Sequence, residues 1–142
     1  MSYWQRICCA VDFSDVSRLA LDQSAFLSRT FGAELTLLHV YEEPRSGSDR
    51  TPSQARRHAE ETLDAWRTQA EFLADRPVRA TMLDGNPQRE IVRFAREGGF
   101  DTIVLGSCGR TGLKQMMLGS VAEYVVRCAQ CPVLAVRHVP PS

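Results

Sequence analysis

No charge of either sign dominates this sequence: seventeen Lys and Arg stand against seventeen Asp and Glu, for a formal net charge of zero. Proteins that coat nucleic acid draw their affinity from excess positive charge meeting phosphates, so no nucleic-acid partner is expected, although a local basic pocket remains open. No apolar run approaches the length that spans a bilayer. The opening Met1, Ser2, Tyr3, Trp4, Gln5 and Arg6 lack the basic-then-apolar layout of a signal peptide, so no membrane role is expected. The five cysteines are an odd number for a disulfide framework, which points to a reduced, cytoplasmic protein. No glycine-rich dinucleotide fingerprint follows the first apolar run. The later glycine loop is not a P-loop, because Thr111 and Gly112 stand where glycine and lysine would be needed. There is no zinc-protease helix motif and no nucleophile elbow, so neither a zinc-protease site nor acyl transfer has a sequence basis.

What is present is the pattern of one globular domain over residues 1–142, 44% hydrophobic and 24% charged. A chain of this length buries roughly two-thirds of its unfolded surface and needs no covalent staple. Five β-type runs, at 6–11, 34–40, 78–83, 102–105 and 133–136, alternate with four helix-type segments. Unbroken Val, Ile and Leu suit strands covered on both faces. Ser14 precedes the first helical period as a candidate N-cap, and Ala59, Leu63, Trp66, Ala70 and Leu73 step round the second helix. Asn86 and Pro87 open the third as cap and first-turn proline, and Gly98 and Gly99 close it. Val121, Ala122, Val125, Val126 and Ala129 carry the last helix, which Pro132 bars from continuing. The expected fold is α/β: a single doubly wound five-stranded parallel sheet, order 3-2-1-4-5, with four helices. The polar stretch 42–51 reads as a surface connector.

In such a sheet a ligand sits beyond the carboxyl ends of the strands where the winding reverses, between the first and fourth. There the first strand runs into Asp12, Phe13 and Ser14, and the fourth into Gly106, Ser107, Cys108, Gly109, Arg110, Thr111 and Gly112. Small residues let backbone approach a ligand, and consecutive amides make a concave anion site. The connection ends at Gly119 and Ser120, where a helix N-terminus offers free N–H donors to phosphate. Arg110 and Lys114 add cationic candidates. The alternative is a ligand-free glycine loop with Ser120 as an N-cap. Asp12 is likewise open to two readings, a ligand acceptor or a cap for the first helix.

The spacing Gly106-x2-Gly109-x9-Gly119-Ser120 resembles the nucleotide-binding signature of the universal stress protein family. The resemblance spans essentially the whole chain, from Ile7, Cys8, Cys9, Ala10, Val11, Asp12, Phe13 and Ser14 to Cys131, Pro132, Val133, Leu134, Ala135 and Val136. Gly85, Asn86 and Pro87 resemble the family's turn before its third helix. This resemblance implies an ATP-binding member, usually a homodimer paired through the fifth strand. It implies that Asp12 and the backbone of Val40 hold adenine, that Gly106 and Gly109 approach ribose and phosphates, and that Gly119 and Ser120 close on the phosphates; the cationic candidate Arg110 lies on the same loop. The implied function is an ATP-dependent stress-response switch, with Mg²⁺ brought by the nucleotide. Alternatives are a slow metal-dependent ATPase and a dimeric interaction protein that needs no nucleotide. Cys108 departs from the pattern, standing where many members have histidine.

The remaining candidates have plain structural readings. Cys128 and Cys131 sit at the C-terminal end of a helix, where the dipole disfavours a thiolate, and no second ligand pair is present for zinc. Cys8 and Cys9 should point to opposite faces of a strand as small core residues. His39, His58 and His138 form no motif, and His39 reads as a hydrogen-bonded core residue. Met116, Met117 and Leu118 read as loop packing onto the sheet, with part of a dimer surface as the alternative. Arg56, Arg57, His58, Ala59, Glu60 and Glu61 read as a solvated helix face with Arg–Glu pairs one turn apart.

Overall fold

A computed structural model describes residues 4–43, 50–108 and 118–138. Its strands are β1 (Arg6–Ala10), β2 (Glu34–Tyr41), β3 (Arg79–Asp84), β4 (Thr102–Gly106) and β5 (Val133–Val136). Its helices are α1 (Asp15–Phe31), α2 (Pro52–Ala74), α3 (Pro87–Glu97) and α4 (Ser120–Cys128). All strand pairs are parallel and the sheet order is β3-β2-β1-β4-β5, as the alternation of periods implies.

The centre of the sheet follows from the pleat. Ile7 and Cys9 of β1 join Leu35 and Leu37 of β2 in a core closed by Ala20, Leu21 and Ala25 of α1 and Leu63, Trp66 and Ala70 of α2. Cys8 and Ala10 face the other way, into a core with Leu38, Val40, Ile103 and Leu105 under Ile91 and Ala95 of α3 and Val125 of α4. Neighbouring cysteines thus supply one small side chain to each layer, and both are completely buried. Burial pushes both thiols up: Cys9 to about 12, with Ser24 pulling the other way and Asp22 adding to the rise, and Cys8 well above the usual range, with Cys9 and Cys131 adding to it.

Full cover on both faces holds for β1, β2 and β4 but not for the edges. Arg79 and Ala80 of β3 are exposed, and Leu134 of β5 is 38% exposed, because edge strands reach past the helices that blanket the centre. Register also moves two boundaries. Tyr41 extends β2 because it pairs with Asp84, and β3 starts at Arg79 because its partner Thr36 lies well inside β2.

The helix ends are set by local chemistry. Ser14 Oγ accepts the Ser17 amide at 3.2 Å and caps α1, while Asn86 Oδ1 accepts the Arg89 amide at 3.2 Å and caps α3 behind Pro87. At the end of α3, Gly99 takes φ 64, and the amides of Gly99 and Phe100 reach back to Arg96 and Ala95. That double closure needs a left-handed residue, which glycine adopts without the cost of a Cβ. A capping box of Thr51 and Gln54 starts α2, with Pro52 in the first turn. At α4 the cap is Gly119, not Ser120: the serine is the first helical residue and makes no cap. Among the described residues no helix is long and apolar enough to cross a membrane.

Candidate functional site: a cleft at the winding switch point

β1 hydrogen-bonds to β2 on one side and β4 on the other, so chain winding reverses there and the carboxyl ends of β1 and β4 splay open. An open cleft of about 830 Å³ occupies this point. Its floor is built at the carboxyl ends of the strands: Ala10 to Phe13 at the end of β1 and beyond, Leu38 to Glu42 at the end of β2, and Leu105, Gly106 and Cys108 at the end of β4. The N-terminus of α4 forms one wall and the first half of α2 the other.

The structure brings together Asp12, Val40, Gly106, Gly119 and Ser120, which all line this one cleft. Gly109 and Arg110 lie outside the described residues, as do Lys114, Met116 and Met117. Leu118, described and 39% exposed, is not packed away. Asp12 does not cap α1, since Ser14 holds that position. Its Oδ1 accepts the Ser14 amide at 3.0 Å and its own amide donates to Ser17 Oγ at 3.2 Å. The carboxylate therefore stands on the cleft wall within a local hydrogen-bonded turn.

Gly106 has a packing reason of its own. A Cβ there would lie 2.7 Å from Val16 Cγ1 and 3.1 Å from the Val16 carbonyl carbon, so this glycine makes room for the first turn of α1. Its small size serves helix-on-strand packing as well as any approach of a ligand.

The α4 wall carries the N-terminal end of a helix. The Glu123 amide closes the first intrahelical bond onto the Gly119 carbonyl, and the Gly119 amide donates to Ser107 O at 2.7 Å. The amides of Ser120, Val121 and Ala122 consequently have no acceptor within the helix, and all three residues line the cleft. Three donors at the positive end of a helix dipole suit an anion, phosphate above all.

Two histidines separated in the sequence line this one cleft. His39 is buried under the cleft with Nδ1 2.8 Å from Val11 O, confirming its hydrogen-bonded role while also placing it on the floor. His58 lines the α2 wall with Ala55, Ala59 and Thr62. That spacing traces one helix face, on a stretch that the sequence reads as solvated surface. The surface reading holds in part, since Arg56 pairs with Glu60 one turn on and also with Asp84 on β3. Phe13 was not foreseen as special, yet it takes φ 68 and lines the cleft between Asp12 and Ser14.

The cysteine pair behaves as a structural feature. Cys128 ends α4 and is exposed, whereas burial, with help from the Asp101 carboxylate, raises the Cys131 thiol above its ordinary value. Cys131 is therefore not poised as a thiolate. Among the described residues no group of three or more His, Cys, Asp or Glu is arranged to hold a metal ion.

Comparison with known proteins bears on the whole chain. The family model described as "Universal stress protein family" matches residues 4–137. Universal stress protein YxiE of Bacillus subtilis (strain 168) is 34% identical over 150 aligned residues, covering 94% of this chain and 99% of that protein. A universal stress protein from Archaeoglobus fulgidus solved in complex with dAMP is 28% identical, with a TM-score of 0.70 over 96% of this chain and 100% of that one. A universal stress protein solved in complex with cAMP is 25% identical, with a TM-score of 0.73 over 96% and 98% of the two chains.

Proposed function

The chain belongs to the universal stress protein family, and on that premise we propose that it binds an adenine nucleotide in the switch-point cleft and works as a nucleotide-dependent stress-response switch. The observation that carries the reading is the N-terminus of α4, whose first residues Ser120, Val121 and Ala122, with amides that have no acceptor within the helix, line the same cleft as Asp12 and Val40. The two relatives solved with dAMP and with cAMP support it, since both ligands join adenine to a sugar and one phosphate. A base beside Asp12 and the Val40 backbone, with its phosphates at Gly119 and Ser120, would use both ends of the cleft. Gly106 and Gly109 would pass close to the ribose and phosphates, and Arg110 would add positive charge to them.

ATP is the ligand proposed first, because several phosphates make fuller use of a helix N-terminus than one. Mg²⁺ would travel with it and neutralise part of the phosphate charge. The residues of the cleft fit such a ligand in chemical type: amide donors for phosphate, a carboxylate and main-chain groups for base and sugar. Hydrolysis is a separate matter of positioning and metal, and should be slow where no general base is supplied. As a switch, the protein signals through whatever equilibrium the nucleotide biases by binding one conformation better than another.

The edge strand β5 supports a second copy as partner. It pairs with β4 on one side only, and it carries Leu134, 38% exposed, near α4, whose Val126 is 48% exposed. A dimer that forms equally well with and without ATP would favour the reading in which association is the function and nucleotide is incidental.

The test is extraction of purified protein followed by mass spectrometry of the released small molecules, together with titration of ATP. Co-purified adenine nucleotide or micromolar ATP binding supports the proposal. Binding that is absent or only millimolar overturns it.

A further inference from the structure

Two non-glycine residues among those described have positive φ. Asp75 (φ 55) closes α2, where a left-handed residue is a usual helix ending. Phe13 (φ 68) ends no helix and follows a strand, and a bulky side chain in that region is an outlier that surrounding contacts must hold in place. The contacts that hold it are specific. Its ring stacks on His39 with centroids 4.3 Å apart and planes at 28°, and meets Trp66 edge-on at 5.2 Å and 73°. Trp66 is in turn covered by the Arg18 guanidinium, 4.0 Å from its ring centre.

The same His39 also anchors the residue on the other side of Asp12. Its Nδ1 lies 2.8 Å from Val11 O, and because a carbonyl only accepts, this nitrogen carries the proton. Residues 11 and 13 are therefore both tied to one buried imidazole, the first through its backbone and the second through its ring. Asp12 is the residue held between them, facing the cleft. Strain of this kind persists where a site needs a group fixed before its ligand arrives.

We propose that Phe13 is a positioning residue, whose ring locked on His39 fixes the turn that presents Asp12 to the nucleotide. This inference rests on the nucleotide reading given above and adds to it a residue that contributes through Asp12. Glycine at position 13 suits the backbone and removes the ring, so it separates turn geometry from turn rigidity. Asparagine also tolerates a left-handed conformation and lacks the aromatic stack. Tyrosine keeps the ring.

The experiment measures ATP affinity of wild type, Phe13→Gly, Phe13→Asn and Phe13→Tyr, each shown by its denaturation curve to be folded under the assay conditions. The expected result is a roughly tenfold loss of affinity in Phe13→Gly and Phe13→Asn, the cost of ordering about one freed backbone residue on binding. Phe13→Tyr should stay close to wild type. Wild-type affinity in both ring-less variants overturns the inference, as does a tyrosine variant as weak as the glycine one. If neither Phe13→Gly nor Phe13→Asn folds, Phe13 serves stability alone and the inference is likewise overturned. Failure of wild-type protein to bind ATP is a different result, which removes the nucleotide reading itself and this inference with it.

Discussion

Replacing Gly106 by alanine adds one methyl group at the seam between β4 and α1. That carbon would sit 2.7 Å from Val16 Cγ1, 3.1 Å from the Val16 carbonyl carbon and 3.2 Å from Cys108 O. Non-bonded carbons prefer about 3.5–4.0 Å, so the valine methyl must retreat by about 1 Å while two backbone atoms must yield by less. Overpacking of this degree costs about 1–3 kcal/mol. Urea denaturation monitored by tryptophan fluorescence reads it directly: with slopes of about 1–3 kcal/mol/M, the midpoint should fall by roughly 1 M. The paired variant Val16→Ala removes the nearest contact and leaves only the two backbone ones. In that background Gly106→Ala should cost about 1 kcal/mol or less, so the double-mutant cycle should show coupling of about 1 kcal/mol. Stability of Gly106→Ala equal to wild type would refute the packing role. An equal penalty in both backgrounds would show that Val16 is not the obstacle.

Other outcomes follow from the same geometry. Gly119 has φ −65 and ψ 163, a conformation open to any residue, so Gly119→Val should lose at most about 1 kcal/mol of stability while abolishing nucleotide binding, as read by urea melts and ATP titration. Thiol labelling of native protein should modify Cys128 fastest, Cys108 and Cys131 more slowly, and Cys8 and Cys9 only after denaturant is added. Because Cys108 lines the cleft, saturating ATP should slow its labelling and leave Cys128 unaffected. The Cys9 thiol, raised from 9.0 to about 12 when folded, binds its proton more tightly in the native state, so its contribution is complete below pH 9 and is lost as pH climbs toward 12. Stability of wild type should therefore fall more steeply over that window than stability of Cys9→Ala, by up to about 1.4 kcal/mol per pH unit. Parallel curves for the two proteins would contradict the burial argument.

Much of the frame could be read from residues alone. β1, β2 and β4 announce themselves because a strand covered on both faces has no place for polar alternation, and Ser14, Asn86 and Gly99 mark helix ends through hydrogen bonds made within a few residues. Their order then fixes where winding reverses, and a cleft is found there. The start of α2 is likewise set by local chemistry: the Thr51–Gln54 capping box, with Pro52 in the first turn, begins on the last residue of the stretch read as connector. Other features depend on partners distant in sequence. The φ of Phe13 has no local signature, because what holds it comes from His39 and Trp66 on two other elements. His39 and His58 come to line one cleft only once β2 and α2 are folded together. Gly106 shows a further limit: one glycine can answer to a neighbouring helix or to a ligand, and only the direction of the missing Cβ tells which neighbour it spares.

The most direct measurement is a residue-by-residue map of the ¹⁵N–¹H amide spectrum as ATP is added with Mg²⁺. The amides of Asp12, Val40, Gly106 and the Ser120–Ala122 row should shift together and saturate with one affinity, while those at the opposite end of the sheet, such as Arg6 and Asp101, stay still. An unchanged spectrum, or shifts gathered at Arg6 and Asp101 instead, would contradict a nucleotide site at the winding switch point.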